Sequence, residues 1–135
     1  MPLNRRKERE IAFQMLFAAQ FSPEEETGAL YEALIAENEV EGAAESEYIK
    51  TVFCGARDYA PVALEKIGAV SKDWKIQRFS KATLAILLLA VFEMDKMEDV
   101  PQKIAINEAV ELSKRFDDEK SRKFINGILG SLAEN

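Results

Sequence analysis

The longest uninterrupted apolar stretch of the sequence covers nine residues, from Leu84 to Phe92, and polar or charged residues flank it on both sides. A membrane-spanning helix needs about 20 apolar residues, so this stretch is too short to cross a bilayer. Its Leu and Ala residues favour a helix, and no second β-rich stretch is present to pair with it as a strand. Since a helix that is apolar on every side must be buried on every side, we predict a central buried helix over about residues 80–96. Ser80 is its predicted N-cap.

Apolar residues recur at helical spacing on both sides of this central stretch. Five predicted helices accompany it, over about residues 5–21, 24–37, 46–70, 101–116 and 117–132. Pro61 interrupts the third of these, so we expect a kink or break near Tyr59. Trp74 is expected to fold back as a lid on the core. The chain is therefore predicted to be all-α, with six to seven helices.

The first helix carries two apolar stripes rather than one. Its core face is predicted to consist of Ile11, Met15, Leu16 and Ala19. Phe13, Phe17 and Phe21 form a second stripe at i, i+4 and i+8. All three rings could lie in the core; alternatively, Phe17 and Phe21 reach the surface and meet a partner, because one helix rarely buries two full faces in so small a domain.

The composition excludes several classes of catalytic and metal site. There is no histidine and only one cysteine, Cys54, which removes Ser-His-Asp and Cys-His catalysis and the usual zinc ligand sets. Glu108 and Glu111 are the only notable carboxylate pair, and their spacing indicates a solvated helical face. We expect no enzymatic activity, no cofactor and no metal. A lone thiol also fits the reducing cytoplasm.

Charge is distributed unevenly along the chain, whose net charge is −6. Residues 1–10 carry a local charge of +2, residues 11–49 contain nine Glu and no basic residue, and the remainder is close to neutral. A uniformly acidic protein repels nucleic acid, whereas a basic end on an acidic body can bind it locally. The first ten residues are therefore candidates for contacting nucleic acid.

Three segments resemble the NusB family of bacterial transcription antitermination factors. DVPQKIAINEAVELSKRF, from Asp99 to Phe116, and SRKFINGIL, from Ser121 to Leu129, look like the family's C-terminal signature. RRKEREIAFQMLF, from Arg5 to Phe17, resembles its Arg-rich first helix. The resemblance implies one all-α domain over residues 1–135, made of two packed subbundles over about 1–70 and 71–135.

The resemblance also implies a function without catalysis. Members of this family bind the boxA element of nascent ribosomal RNA transcripts together with NusE, a small-subunit ribosomal protein. The pair joins an assembly on RNA polymerase that suppresses premature termination. The alternative is a helical interaction module that does not bind RNA, with a homodimer possible through the first-helix Phe stripe.

The resemblance assigns roles to individual residues of this sequence. It implies a basic arm that neutralises phosphates, formed by Arg5, Arg6, Lys7 and Arg9. It implies a second RNA-binding cluster formed by Lys120, Arg122, Lys123, Phe124 and Asn126. Glu8 stands where the family often has a small neutral residue, so it either weakens RNA binding or pairs with a neighbouring Arg.

Two further roles depend on whether a side chain is exposed. Spacing alone favours a core position for Phe124, whereas the resemblance implies that its ring stacks on an unpaired base. Phe17, Phe21 and Thr83 match positions that face the protein partner. Asn107, by contrast, is interpreted as a structural amide.

Overall fold

The computed structural model describes residues 3–72 and 75–133, and within these ranges the chain is helical and contains no strand. The helices are α1 (Arg5–Ala19), α2 (Thr27–Glu37), α3 (Glu47–Val70), α4 (Lys81–Lys96), α5 (Gln102–Phe116) and α6 (Glu119–Ala133), with a 3₁₀ turn over Ile76–Arg78. The all-α prediction is confirmed. Trp74, the predicted lid, lies outside the described residues. None of the described helices is both long and apolar enough to cross a membrane.

The predicted central helix is α4. Every residue from Ala85 to Phe92 is buried, and α4 packs against α1, α3, α5 and α6. Its first turn is capped by Ser80, whose Oγ accepts a hydrogen bond from the backbone N–H of Thr83 at 3.0 Å. Because α4 contacts helices from both halves of the chain, the division into subbundles over 1–70 and 71–135 stays a prediction.

Side-chain caps fix where several helices begin. Asn4, Ser46 and Asp118 accept hydrogen bonds from backbone N–H groups three residues ahead, at 2.8, 3.1 and 2.7 Å. Helix α2 begins at Thr27 rather than near residue 24, because the carboxylate of Glu26 accepts from the next two free N–H groups at 2.8 and 3.0 Å. These backbone hydrogen bonds lower the pKa of Glu26.

Helix α3 continues without a break through Pro61, so the predicted break near Tyr59 is wrong. Proline removes one backbone donor and crowds the preceding turn, which disfavours a helix. Here Pro61 lies on the exposed side, while Ala56, Ala63 and Ile67 are buried on the opposite side. Packing of this apolar face on both sides of the proline therefore outweighs its local cost.

Candidate nucleic-acid interface

Arg9, predicted as part of an exposed arm, is a buried residue that anchors α1 to α4. It is only 4% exposed, and its Nη2 and Nε donate to the carboxylate of Glu93 at 2.8 and 3.0 Å. Glu93 is itself fully buried. Burial by itself lowers the pKa of Arg9, but the hydrogen bonds and charge of Glu93 more than offset this and raise it. Arg9 is therefore corrected from a candidate phosphate ligand to a structural residue.

Tyr48 on α3 completes this buried cluster. Its hydroxyl donates to Glu93 at 2.9 Å, and the guanidinium of Arg5 lies over its ring at 4.3 Å. Burial, together with the charge of Glu93, raises the pKa of Tyr48, so the hydroxyl remains a proton donor. The first turn of α1 is thus held against α3 and α4.

The other basic residues of the predicted arm are also paired within the chain. Arg5 Nε lies 3.2 Å from Glu8, Lys7 Nζ lies 2.8 Å from Glu10, and Arg6 donates to Glu108 at 2.6 and 3.1 Å. Glu8 therefore pairs with a neighbouring Arg, as one of the two alternatives expected. The arm is an ordered helical turn rather than a segment that becomes ordered only on RNA.

Glu108 is not the solvated carboxylate expected from its spacing. Its side chain is 13% exposed and lies between Arg6 and Arg9, with Arg9 Nη1 at 3.1 Å. The hydrogen bonds from Arg6 are the main reason that the pKa of Glu108 is lowered. Glu111 pairs with Lys114 at 3.3 Å and remains more exposed. Glu108 thus connects the buried anchor to the surface.

A groove of about 660 Å³ opens on this surface where α5 and α6 meet the start of α1. We call it the α5–α6 groove, and it is lined by Arg6, Ile104, Asn107, Glu108, Val110, Glu111, Lys114, Arg122, Lys123 and Asn126. Four cations and two carboxylates give this lining a charge of +2 on a chain of net charge −6. The described residues include no group of three acidic or Cys side chains that could hold a metal ion.

The α5–α6 groove brings together only part of the predicted RNA-binding set. Arg6, Arg122, Lys123 and Asn126 line it, whereas Arg5, Lys7 and Arg9 do not. Lys114 and Asn107 also line it, and sequence reasoning missed both, because Asn107 was interpreted as structural although it is exposed. Their spacing of seven residues, on the face of α5 opposite the apolar one, was the signal that could have found them.

Lys120 and Phe124 lie on the other side of α6, in a smaller cleft of about 130 Å³. We call it the Phe79–Phe124 cleft, and it is lined by Arg78, Phe79, Ser80, Thr83, Lys120, Ser121 and Phe124. The ring of Phe124 is half-buried and meets Phe79 edge-on, with centroids 4.9 Å apart. Phe124 therefore combines both expected roles, since it packs against the core and also lines an open cleft.

Thr83 does not present its hydroxyl to a partner, and that prediction is corrected. It is 3% exposed, and its Oγ1 donates to Asp117 at 2.5 Å. The same oxygen accepts from Ser80 at 3.0 Å, so the hydroxyl is used within the fold. It ties the start of α4 to the end of α5.

The three rings of the Phe stripe differ in exposure. Phe13 is buried against Phe116, with centroids 4.9 Å apart, and Phe17 is half-buried. Phe21 is 66% exposed and lies 5.8 Å from Phe17, with Lys81 Nζ over its ring at 5.1 Å. The hypothesis that all three rings are core is therefore wrong, and Phe21 is the exposed member.

Comparison with known proteins agrees with this architecture. The NusB family model matches residues 6–134. The transcription antitermination protein NusB of Lactiplantibacillus plantarum is 38% identical over 136 aligned positions, covering 100% of this chain and 98% of that protein. NusB of T. maritima superposes with a TM-score of 0.85 at 29% identity, covering 100% of this chain and 94% of that one.

A further similar structure is a crystal structure of the antitermination factors NusB and NusE in complex with dsRNA. It has a TM-score of 0.79 at 24% identity and covers 96% of each chain, which supports the fold alone. The family model and the relative from L. plantarum both extend over nearly the whole sequence. The chain described here belongs to the NusB family.

Proposed function

We propose that this chain is an RNA-binding transcription antitermination factor that recognises boxA of nascent ribosomal RNA transcripts together with NusE. The pair acts in the cytoplasm as part of an antitermination complex on RNA polymerase. The observation that carries the proposal is the concentration of positive charge in the α5–α6 groove of an acidic protein. Membership of the NusB family and the similar structure containing NusE and dsRNA support it.

The electrostatics of the groove suit a phosphate backbone. Arg122 and Lys123 on α6 have no carboxylate within salt-bridge distance among the described residues, whereas Arg6 and Lys114 each share a carboxylate. Phosphate oxygens can displace an exposed carboxylate from Arg6, whose side chain is 66% exposed. Lys7 and Arg5 lie on the adjoining turn and extend the basic surface.

The Phe79–Phe124 cleft supports recognition of unpaired RNA. Sequence-specific RNA recognition generally targets single-stranded bases that stack on aromatic rings. Phe124 lies on this cleft beside Lys120, with Arg78 on its other wall. An aromatic ring flanked by two cations can hold a base and its neighbouring phosphates. Lys120 and Phe124 therefore remain in the proposed RNA-binding set.

Replacing both Arg6 and Lys123 with alanine should weaken binding of single-stranded boxA RNA and make it less sensitive to salt. Each lost phosphate contact releases fewer counterions, so the slope of log K against log salt should become shallower by about 0.7 per contact. Fluorescence anisotropy titrations over a range of salt concentrations measure both the affinity and the slope.

The matched control is the double substitution of Lys50 and Lys72, which are exposed lysines that do not line the α5–α6 groove. It removes the same charge and should leave the slope unchanged. Scrambled and duplex RNA, each with and without NusE, complete the comparison. Equal affinity for boxA and scrambled RNA in all conditions would contradict specific boxA binding, and an unchanged slope in the Arg6/Lys123 variant would exclude the groove.

The proposed surface for NusE surrounds Phe21. This ring follows α1 in a loop that Arg57 fixes by donating to the carbonyls of Ser22 and Glu25 at 3.0 and 2.7 Å. Gln20 Nε2 donates to the carbonyl of Lys81 at 2.8 Å, which joins the end of α1 to the start of α4. A large exposed ring on a fixed loop is typical of an interface anchor.

Substituting Phe21 with aspartate should reduce NusE binding at least tenfold, about 1.4 kcal/mol, because it replaces an apolar anchor with a charge. Val62→Asp is the matched control, since Val62 is an exposed apolar residue of α3 at 46% exposure. Titration calorimetry with purified NusE gives both affinities. Full binding by Phe21→Asp would place the NusE surface elsewhere.

The alternative of a homodimer through the Phe stripe has little structural support. A stable interface buries about 800 Å² on each partner. Phe13 is buried and Phe17 half-buried, so Phe21 is the one largely exposed ring of this stripe. No observation on the described residues favours this alternative over RNA binding.

A further inference from the structure

The α5–α6 groove contains two amide side chains that the fold does not use. Asn107 on α5 and Asn126 on α6 are both exposed and both line the groove. Neither side chain forms a hydrogen bond within the described chain. The carboxylates of the groove, by contrast, are paired with Arg6, Arg9 and Lys114. The uncommitted polar groups of the groove are therefore amides and the cations of α6.

One donor in this groove is buried and unmatched. The Nε of Arg122 is inaccessible to solvent and has no hydrogen-bond partner among the described residues. Buried N–H groups are normally paired, and each one left unpaired costs free energy. Since Arg122 lines an open groove with Asn126 and Lys123, a bound ligand can bring the missing acceptor to this wall. A phosphate oxygen or a base carbonyl fits both the donor and the positive charge.

Amides and cations read different parts of a nucleic acid. Arg and Lys contact phosphates, which position the chain, whereas side chains that contact base edges specify the sequence. The amide of Asn carries a donor and an acceptor side by side, which matches the paired donor and acceptor of adenine. Single-stranded RNA exposes these base edges.

We propose that Asn107 and Asn126 determine sequence specificity by hydrogen bonding to the edge of an unpaired base, with adenine the best match, while Arg122 and Lys123 hold the neighbouring phosphate. This assignment rests on the proposed RNA-binding function and adds Asn107 to the RNA-contacting residues. It separates the groove into an amide part that selects sequence and a cationic part that supplies affinity.

The test measures specificity and salt dependence in the same titrations. The probes are single-stranded boxA RNA and scrambled RNA of equal length, and the proteins are wild type, Asn107→Ala, Asn126→Ala, the double variant and Lys123→Ala. The double variant should lose about 5- to 150-fold of its preference for boxA while its salt slope stays unchanged. Lys123→Ala should show the opposite result, with a shallower slope and the preference retained.

Each other outcome has one meaning. If wild type prefers boxA and the double variant keeps that preference, the inference is overturned while the RNA-binding function stands. If wild type binds both RNAs equally, base reading at this groove is excluded; if it binds neither, the proposed function fails as well. Asn107→Asp preserves the side-chain shape, so loss of preference in this variant, with unchanged unfolding, distinguishes lost hydrogen bonding from misfolding.

Discussion

Replacing Arg9 with methionine should lower the free energy of unfolding by about 3–5 kcal/mol, because it leaves a buried carboxylate without its counterion. Arg9 is 4% exposed and Glu93 is fully buried, so water cannot take the place of the lost partner. The substitution also removes a donor to Glu108 at 3.1 Å. Urea unfolding followed by circular dichroism measures the change.

Arg5→Met is the matched control for this substitution. Arg5 lies one turn earlier on α1 and contacts the same tyrosine, but its side chain is 51% exposed and its ion pair with Glu8 lies at the surface. Exposed ion pairs contribute about 0–1 kcal/mol, so this variant should remain close to wild type in stability. Equal losses in the two variants would contradict the burial of Arg9.

A double-mutant cycle isolates the pair itself. Glu93→Gln removes the charge but retains an oxygen that can accept from the Tyr48 hydroxyl. The double variant Arg9→Met/Glu93→Gln should be more stable than the sum of the single changes predicts, with a coupling of about 0.5–3 kcal/mol. Strict additivity would mean that the two side chains do not interact.

This buried pair has a consequence for the surface. Glu93 holds Arg9, Arg9 donates to Glu108, and Glu108 accepts two hydrogen bonds from Arg6. The orientation of Arg6 in the α5–α6 groove therefore depends on contacts that reach the central helix. The basic arm and the core are one connected structure, which is why α1 is ordered from its first turn.

Helix positions could be predicted from the sequence because burial leaves a periodic record. The apolar run from Leu84 to Phe92 identified α4, and short polar caps such as Asn4 and Ser46 identified helix starts. Pro61 misled the prediction because its local cost was weighed without the tertiary packing of α3. Local rules succeed where the tertiary structure agrees with them and fail where packing decides.

The site was less predictable because charge does not report its own burial. Arg9 sits within a run of charged residues, and its partner Glu93 is 84 positions away, so spacing gave no sign of the pair. Glu108 was expected to be solvated for the same reason, although its partners belong to α1. The cluster from Lys120 to Asn126 was located correctly on α6, but the two clefts on either side of that helix required the packing of α4 and α5.

Gly55 left a sequence signal that went unused, since a glycine inside an apolar helical segment often marks a close approach. It lies on α3, and a Cβ built at this position would be 2.2 Å from Cζ of Phe92. Gly55→Ala should therefore destabilise the protein by about 1–3 kcal/mol through overpacking, although alanine favours a helix over glycine. Thermal or urea unfolding measures the loss.

Gly130→Ala provides the control with the opposite sign. Gly130 lies on α6, and a Cβ there would meet no atom within 4 Å, so only helix propensity changes. This variant should gain about 0.5–1 kcal/mol. Combining Gly55→Ala with Phe92→Leu should restore part of the loss relative to Phe92→Leu alone, because the smaller side chain makes room for the methyl group. Stabilisation by Gly55→Ala in the wild-type background would show that α3 and α4 are not in close contact at this point.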